Sequence, residues 1–173
     1  MNLNLVKGGA PLSHDIDLNS TSLKRRLLNE IGTLYTQCSE IHVVKKGGGD
    51  IIHLTHNNHR YVFKITETYP FHPPKRITIN GVPMKVAVCM SENRFTPYLN
   101  KFYGGFCVCC MSVLGNGGLW GPAIRITHLI NEIEMVMRMK KEILLRVLCD
   151  AIRDKYGCLA DFAEFESYLF PFD

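Results

Sequence analysis

The chain lacks an apolar core of signal-peptide length in its opening stretch, MNLNLVKGGAPLSHD, and no later run approaches the roughly 20 apolar residues that a membrane span needs. A soluble, intracellular protein of the cytoplasm or nucleus is expected, with no membrane partner. Low-complexity tracts and internal repeats are also missing, which sets aside solenoids and disordered linkers. Charge of one sign is not concentrated anywhere: 20 Lys and Arg against 16 Asp and Glu give a net charge of only +4, and the cations are scattered rather than ranked in a stripe. That distribution argues against a nucleic-acid partner. The seven cysteines are odd in number and come without a secretory signal, so reduced thiols are expected rather than a disulfide framework. Two further absences narrow the chemistry. No two separated cysteine pairs suggest a tetrahedral zinc site, and nothing specifies a histidine oriented by Asp or Asn, as a Cys-His protease requires. Neither a metal nor a cofactor is expected.

What is present is concentrated in one stretch. Gly104 to Ala123, GGFCVCCMSVLGNGGLWGPA, holds three of the seven cysteines, six of the fourteen glycines and the only tryptophan. Such a cluster can be a thiol nucleophile, a metal site or a buried apolar turn. A metal site would need Cys89 or one of the histidines to complete Cys107, Cys109 and Cys110.

With 173 residues, 46% of them hydrophobic, the chain can bury one good core. Residues 1–18 contain Gly8, Gly9 and Pro11 with little periodicity and are expected to form a flexible arm, leaving 19–173 as a single domain. From Thr21, Leu23, Leu27, Ile31 and Leu34 fall at helical spacing, with Ser20 or Thr21 placed to cap the first turn. Lys24, Arg25 and Arg26 are assigned to the solvated outer face of this helix. After Cys38 come short β-rich runs at 41–44, 51–55, 61–65 and 76–79. They are separated by Gly47-Gly48-Gly49-Asp50, by Asn57-Asn58-His59 and by a proline-rich corner, and the last ends at Asn80-Gly81. Connections this short demand an antiparallel meander.

The corner, Tyr69-Pro70-Phe71-His72-Pro73-Pro74, cannot be helical and is expected at the surface with its rings half exposed. Residues 83–101 look irregular. After Ala123 a helical stripe begins with Ile126, Leu129, Ile130, Ile133, Val136 and Met137, and it continues or restarts through Ile143, Leu144, Val147 and Leu148. Met135, Met137 and Met139 are expected as core filler and surface rather than as a cofactor box, and His53, His56, His59 and His72 as surface or satisfied histidines. The phenylalanine-rich tail from Ala160 to Asp173 is expected to pack back on the domain. Helix, four-stranded meander, cysteine loop and C-terminal helices make an α+β layout with helices on one face of a sheet.

Three motifs in this order resemble the ubiquitin-conjugating enzyme family over about residues 22–137. Tyr69-Pro70-Phe71-His72-Pro73-Pro74 is similar to the family's Tyr-Pro-Phe-x-Pro-Pro corner. Cys110-Met111-Ser112-Val113-Leu114 is similar to the Cys-Leu-Asp-Ile-Leu around its active cysteine, and Trp120-Gly121-Pro122-Ala123 to the Trp-Ser-Pro-Ala before its second helix. The resemblance implies the UBC fold and an enzyme that takes ubiquitin or a relative from an activating enzyme as a cysteine thioester. The modifier is then passed to a lysine, usually with a ligase such as a RING-type one. A thiolate suits this role because its thioester stays reactive toward amines where a serine ester would not.

Carried over onto this sequence, the resemblance makes Cys110 the nucleophile. Cys107 and Cys109 stay open as alternatives, the first because Gly104-Gly105-Phe106 imitates the family's Gly-x-Ile-Cys lead. It places Lys24, Arg25 and Arg26 toward the activating enzyme, and Phe71, Pro122 and Ala123 toward the ligase. The family's His-Pro-Asn motif is missing. Its nearest counterpart is Thr96-Pro97-Tyr98-Leu99-Asn100, similar to the Thr-Pro-Asn of a divergent branch of membrane-anchored enzymes of the endoplasmic reticulum. Asn100 is thereby a candidate oxyanion donor or loop brace, a role whose loss typically costs on the order of 10²- to 10³-fold in rate. The acidic or Ser gate after the cysteine cannot be aligned. These departures keep a second function in view, a catalytically inactive UBC-like binding or structural module.

Overall fold

A computed structural model describes residues 2–6, 22–46, 49–90, 93–105, 112–113, 115 and 120–157. The apolar spacing read after Thr21 forms helix α1, Ser22–Gln37, with Leu27, Ile31 and Leu34 buried. The proposed caps Ser20 and Thr21 lie outside the described residues. Four strands follow in a meander: β2 Glu40–Lys46, β3 Gly49–His56, β4 His59–Ile65 and β5 Arg76–Ile79. Each pairs antiparallel with the next. The β3–β4 turn is built on Asn57 and Asn58, both left-handed at φ 46° and 64°, which is the twist a two-residue hairpin requires. Asn80 and Gly81 turn the chain after β5 with φ 51° and 82°.

The sheet is wider than four strands. β1, Asn2–Val6, lies inside the expected N-terminal arm and pairs antiparallel with β2, Leu3 opposite Val43 and Leu5 opposite Ile41. Main-chain pairing with β2 holds the segment. On the other edge the two-residue β6, Val82–Pro83, pairs with β5, giving six strands in sequence order. Neighbouring strands are joined directly except across α1, between β1 and β2.

The described part of residues 83–101 is not irregular throughout. It holds a single turn α2, Met84–Ala87, a 3₁₀ turn at Asn93–Phe95 and helix α3, Thr96–Tyr103. Pro97 stands in the first turn of α3, where its missing N–H costs nothing. After Arg125 one helix runs without a break, α4, Ile126–Tyr156, so the two stripes belong to a single 31-residue element. At about 1.5 Å per residue it is some 46 Å long, longer than the sheet is wide.

Among the described residues, only one face of the sheet is covered. Ile41, Val43, Ile52, Leu54, Tyr61, Phe63, Ile65 and Ile79 are buried with Leu27, Ile31 and Leu34 of α1 and Ile126, Leu129, Ile130, Ile133 and Val136 of α4. The intervening His53, Arg60, Lys64 and Arg76 point the other way and are exposed. Met139 is buried and Met135 and Met137 pack half-buried on the core, the filling role expected of flexible thioethers. Cys38 is buried between α1 and the sheet. Burial first, then the charge of Glu134, push its thiol up to about 11, so it is an inert apolar residue. The described cysteines, Cys38, Cys89 and Cys149, form no disulfide. Among the described residues no helix is long and apolar enough to cross a membrane.

Candidate functional site

The proline corner is not a surface feature throughout. After the cis Tyr69-Pro70 peptide, Phe71 is 73% exposed, but the Tyr69 ring is buried completely. A tyrosine can be buried only if its hydroxyl finds a partner, and this one donates to Glu30 Oε2 of α1 at 2.6 Å. Burial, then the adjacent carboxylate, push the phenol well above its ordinary range.

Glu30 is itself only 3% exposed and is the polar centre of the molecule. Its other oxygen, Oε1, accepts from Arg26 Nε at 2.9 Å, and Oε2 also accepts from the backbone N–H of Ile126 at 3.0 Å, the first residue of α4. That amide is one of the orphan donors every helix start leaves, so a carboxylate from α1 caps α4. Arg26 also donates through Nη2 to the Ile124 carbonyl at 3.1 Å. One carboxylate therefore joins α1, the proline corner and the entry to α4.

A second bond closes the same junction from outside. Trp120 donates its indole N–H to the Pro70 carbonyl at 2.8 Å, and its ring tilts against Tyr69 with centroids 6.0 Å apart. Two motifs 50 residues apart in sequence are thus brought together. Phe71, Pro122 and Ala123, all exposed, follow within one to three residues of this bond and flank it.

Of the cation trio on α1, Arg25 is exposed, but Arg26 is turned inward. Its expected place on the outer face is corrected by the Glu30 and Ile124 bonds, which leave its side chain 28% exposed. The side chain of Lys24 lies outside the described residues, and so do Cys107, Cys109 and Cys110. The segment that carries them is described only at its edges. Ser112 is buried, Gly115 donates its N–H to the Ser112 carbonyl at 3.1 Å, and Val113 packs on the core. Val113 and Gly115 line a cavity of about 360 Å³ with Pro73, Pro74, Met84 and Leu129. The downstream edge of the cysteine segment therefore lies beside the proline corner.

The upstream edge is set by α3. Gly104 ends the helix in the left-handed conformation at φ 59°, and the Gly105 N–H bonds back to the Leu99 carbonyl at 2.9 Å. Asn100 is exposed on this helix rather than in an extended loop, and a Cβ added at Gly105 would stand 3.2 Å from its Oδ1. The Asn100 amide thus packs under the chain that leads into the cysteines. Helix α3 is held to the distal half of α4 by hydroxyl bonds from Tyr98 to Asp150 and from Tyr103 to Glu142, and Arg146 sits 3.9 Å over the Phe102 ring. Burial, then Asp150, raise the Tyr98 hydroxyl to about 12.

A second polar cluster lies where the β3–β4 turn meets α4. Glu134 accepts from Asn57 Nδ2 at 2.8 Å and from the Tyr61 hydroxyl at 3.2 Å, and its Oε1 pairs with His56 Nδ1 at 2.6 Å. Burial opposes its ionisation, yet the hydrogen bonds from His56 and Asn57 prevail and hold its carboxyl below the ordinary value. His59 is likewise satisfied, its Nδ1 3.1 Å from Asn80 Nδ2. Among the described residues no group of three or more His, Cys, Asp or Glu could hold a metal ion.

Sequence reasoning missed both Glu30 and Glu134. Glu30 had a signal: it lies three residues after Leu27 and four before Leu34, in phase with the buried stripe, where an acid must be partnered. No protein-family model, curated protein or solved structure matches this chain.

Proposed function

We propose that the chain is a thioester-forming conjugating enzyme similar to the ubiquitin-conjugating family, with Cys110 as the acceptor of ubiquitin or a related modifier. The observation that carries this reading is the Trp120–Pro70 hydrogen bond, 2.8 Å long, with the Glu30 network beneath it. Two of the three motifs behind the resemblance meet there, and they bracket the cysteine segment as a thioester site would be bracketed. In the reaction the Cys110 thiolate attacks the modifier's C-terminal thioester carbonyl on the activating enzyme and expels that enzyme's thiolate. A lysine amine later attacks the new thioester, loses its proton, and expels the Cys110 thiolate. Asn100, packed against Gly105, suits a brace for the entering chain. Phe71, Pro122 and Ala123, all exposed, suit a ligase-facing patch, and the exposure of Arg25 on α1 suits a contact with an activating enzyme.

A second reading, a catalytically inactive module on the same fold, is favoured by one observation. Asn100 sits on a regular helix begun by Thr96-Pro97 rather than in an extended loop, and the sequence holds no His-Pro-Asn motif. The test is incubation with an activating enzyme, ATP and ubiquitin or a related modifier, followed by gels with and without reductant. A reducible adduct lost in Cys110→Ala and kept in Cys107→Ala and Cys109→Ala is the expected result. An adduct that survives Cys110→Ala moves the role to another sulfur, and no adduct with any modifier establishes the inactive module.

A further inference from the structure

The distal half of α4 carries a second apolar stripe that no described residue covers. Its buried stripe, Met139, Ile143 and Cys149, faces inward, while Leu144 is 39% and Leu148 56% exposed about a quarter turn away. With Leu145, Met137 and Ala87 of α2 they line a groove of about 340 Å³, and Lys140 and Lys141 complete its wall. Lys140 donates to the Ala87 carbonyl at 3.1 Å and fixes α2 to α4 there, so the groove has a rigid floor. Val86, next to it on α2, is 61% exposed. Scattered exposed hydrophobics need no explanation, but a contiguous groove with a basic wall does.

We infer that this groove is the docking site of the chain's own C-terminal segment, residues 158–173, which lie outside the described residues. Three observations select this occupant. The segment is complementary in chemistry: four of the chain's nine phenylalanines, Phe162, Phe165, Phe170 and Phe172, fall in it, with Leu159, Tyr168 and Leu169. It is complementary in charge: Asp161, Glu164, Glu166 and Asp173 are its only charged side chains, opposite a wall that holds Lys140 and Lys141. It also reaches. Helix α4 ends at Gly157, whose φ of +76° is a backbone conformation that other residues rarely adopt. Leu148 lies about 12 Å and Leu144 about 18 Å back along the helix axis from Tyr156. Sixteen residues cover that distance whether helical, at about 24 Å, or extended, at about 50 Å.

The test is limited chymotrypsin digestion of the full chain, because the segment is dense in Phe, Tyr and Leu. Docking slows its cleavage. Leu148→Glu places an acid in the groove and is expected to speed cleavage within 158–173 by tenfold or more, with cleavage elsewhere unchanged. Because Leu148 is exposed, the variant should fold, and its far-UV circular dichroism reports whether it does. An independent arm leaves the groove intact: Phe162→Ser with Phe165→Ser in the full chain is expected to raise binding of an apolar dye several-fold, and Leu148→Glu added to that pair is expected to lower it again. Equal cleavage rates in wild type and Leu148→Glu overturn the inference. So does protection that rises with protein concentration alongside a doubled sedimentation mass, since the groove would then be covered by a second copy.

Discussion

Replacing Glu30 by Ala removes one side chain and deprives three donors at once. The Tyr69 hydroxyl at 2.6 Å, the Ile126 amide at 3.0 Å and the Arg26 guanidinium at 2.9 Å all lose their acceptor. The first two are buried and cannot turn to water, and a stranded buried donor costs about 1–3 kcal/mol. Arg26, 28% exposed and still bonded to the Ile124 carbonyl, loses less. The sum falls at about 3–5 kcal/mol, the range for breaking a buried ionic contact by removing one partner. Against a typical total of roughly 5–15 kcal/mol, this is a large share of the fold's stability. In a domain of this size it corresponds to a fall in melting temperature on the order of 10 °C, or an equivalent drop in the urea midpoint at unchanged slope.

Tyr69→Phe is the control. It removes one donor without stranding a charge and should cost about 1 kcal/mol. In Glu30→Ala the tyrosine hydroxyl is already stranded, so the second substitution there should be neutral or stabilising, giving a coupling of about 0.5–3 kcal/mol. A loss below about 1 kcal/mol for Glu30→Ala, or strict additivity with Tyr69→Phe, would refute Glu30 as the joint between α1, the corner and α4.

Two further substitutions test other parts of the frame. Gly49 begins β3 at φ +139°, and an added Cβ would stand 2.0 Å from the Ile65 carbonyl oxygen, so Gly49→Ala should cost on the order of 3 kcal/mol in urea unfolding. Wild-type-like stability would show that the β3 entry can shift. Glu134 supplies a pH dependence of known sign. Its folded value is depressed below 4.5, so its contribution is complete above the unfolded value and is lost as pH falls through the folded one. Stability measured from pH 6 to pH 3 should fall more steeply in wild type than in Glu134→Gln, and parallel curves would contradict the depressed value.

The parts of the fold written in local pattern were legible. Strand β5 was read to the residue, and the apolar phase of α1 and the Asn57-Asn58 turn follow from spacing and left-handed propensity alone. What escaped depends on distant partners. β1 alternates Leu3 and Leu5 with asparagines, residues depleted in strands, and becomes a strand through β2, more than thirty residues on. Helix α3 was hidden by Pro97, which reads as a breaker unless it falls in a first turn. Tyr69 looked half exposed because the prolines around it mark a surface corner, while the acid that permits its burial lies 39 residues away. At the candidate site, the motifs flanking the cysteines were legible, and their bond to each other, made through a backbone carbonyl of Pro70, was not.

The Glu30 carboxylate also sets an order of events in synthesis. Its partner Tyr69 is 39 residues downstream and its partner Ile126 is 96. As the chain emerges, α1 and the meander can assemble and seat the tyrosine while the helix amide that completes the carboxylate's shell has yet to be made. At roughly 5–20 residues per second that interval lasts seconds, long compared with hairpin formation on the order of 1–10 μs. The nascent sheet therefore waits with its central acid incompletely satisfied and the apolar face meant for α4 bare. Closure of the protein is timed by the arrival of a single helix start.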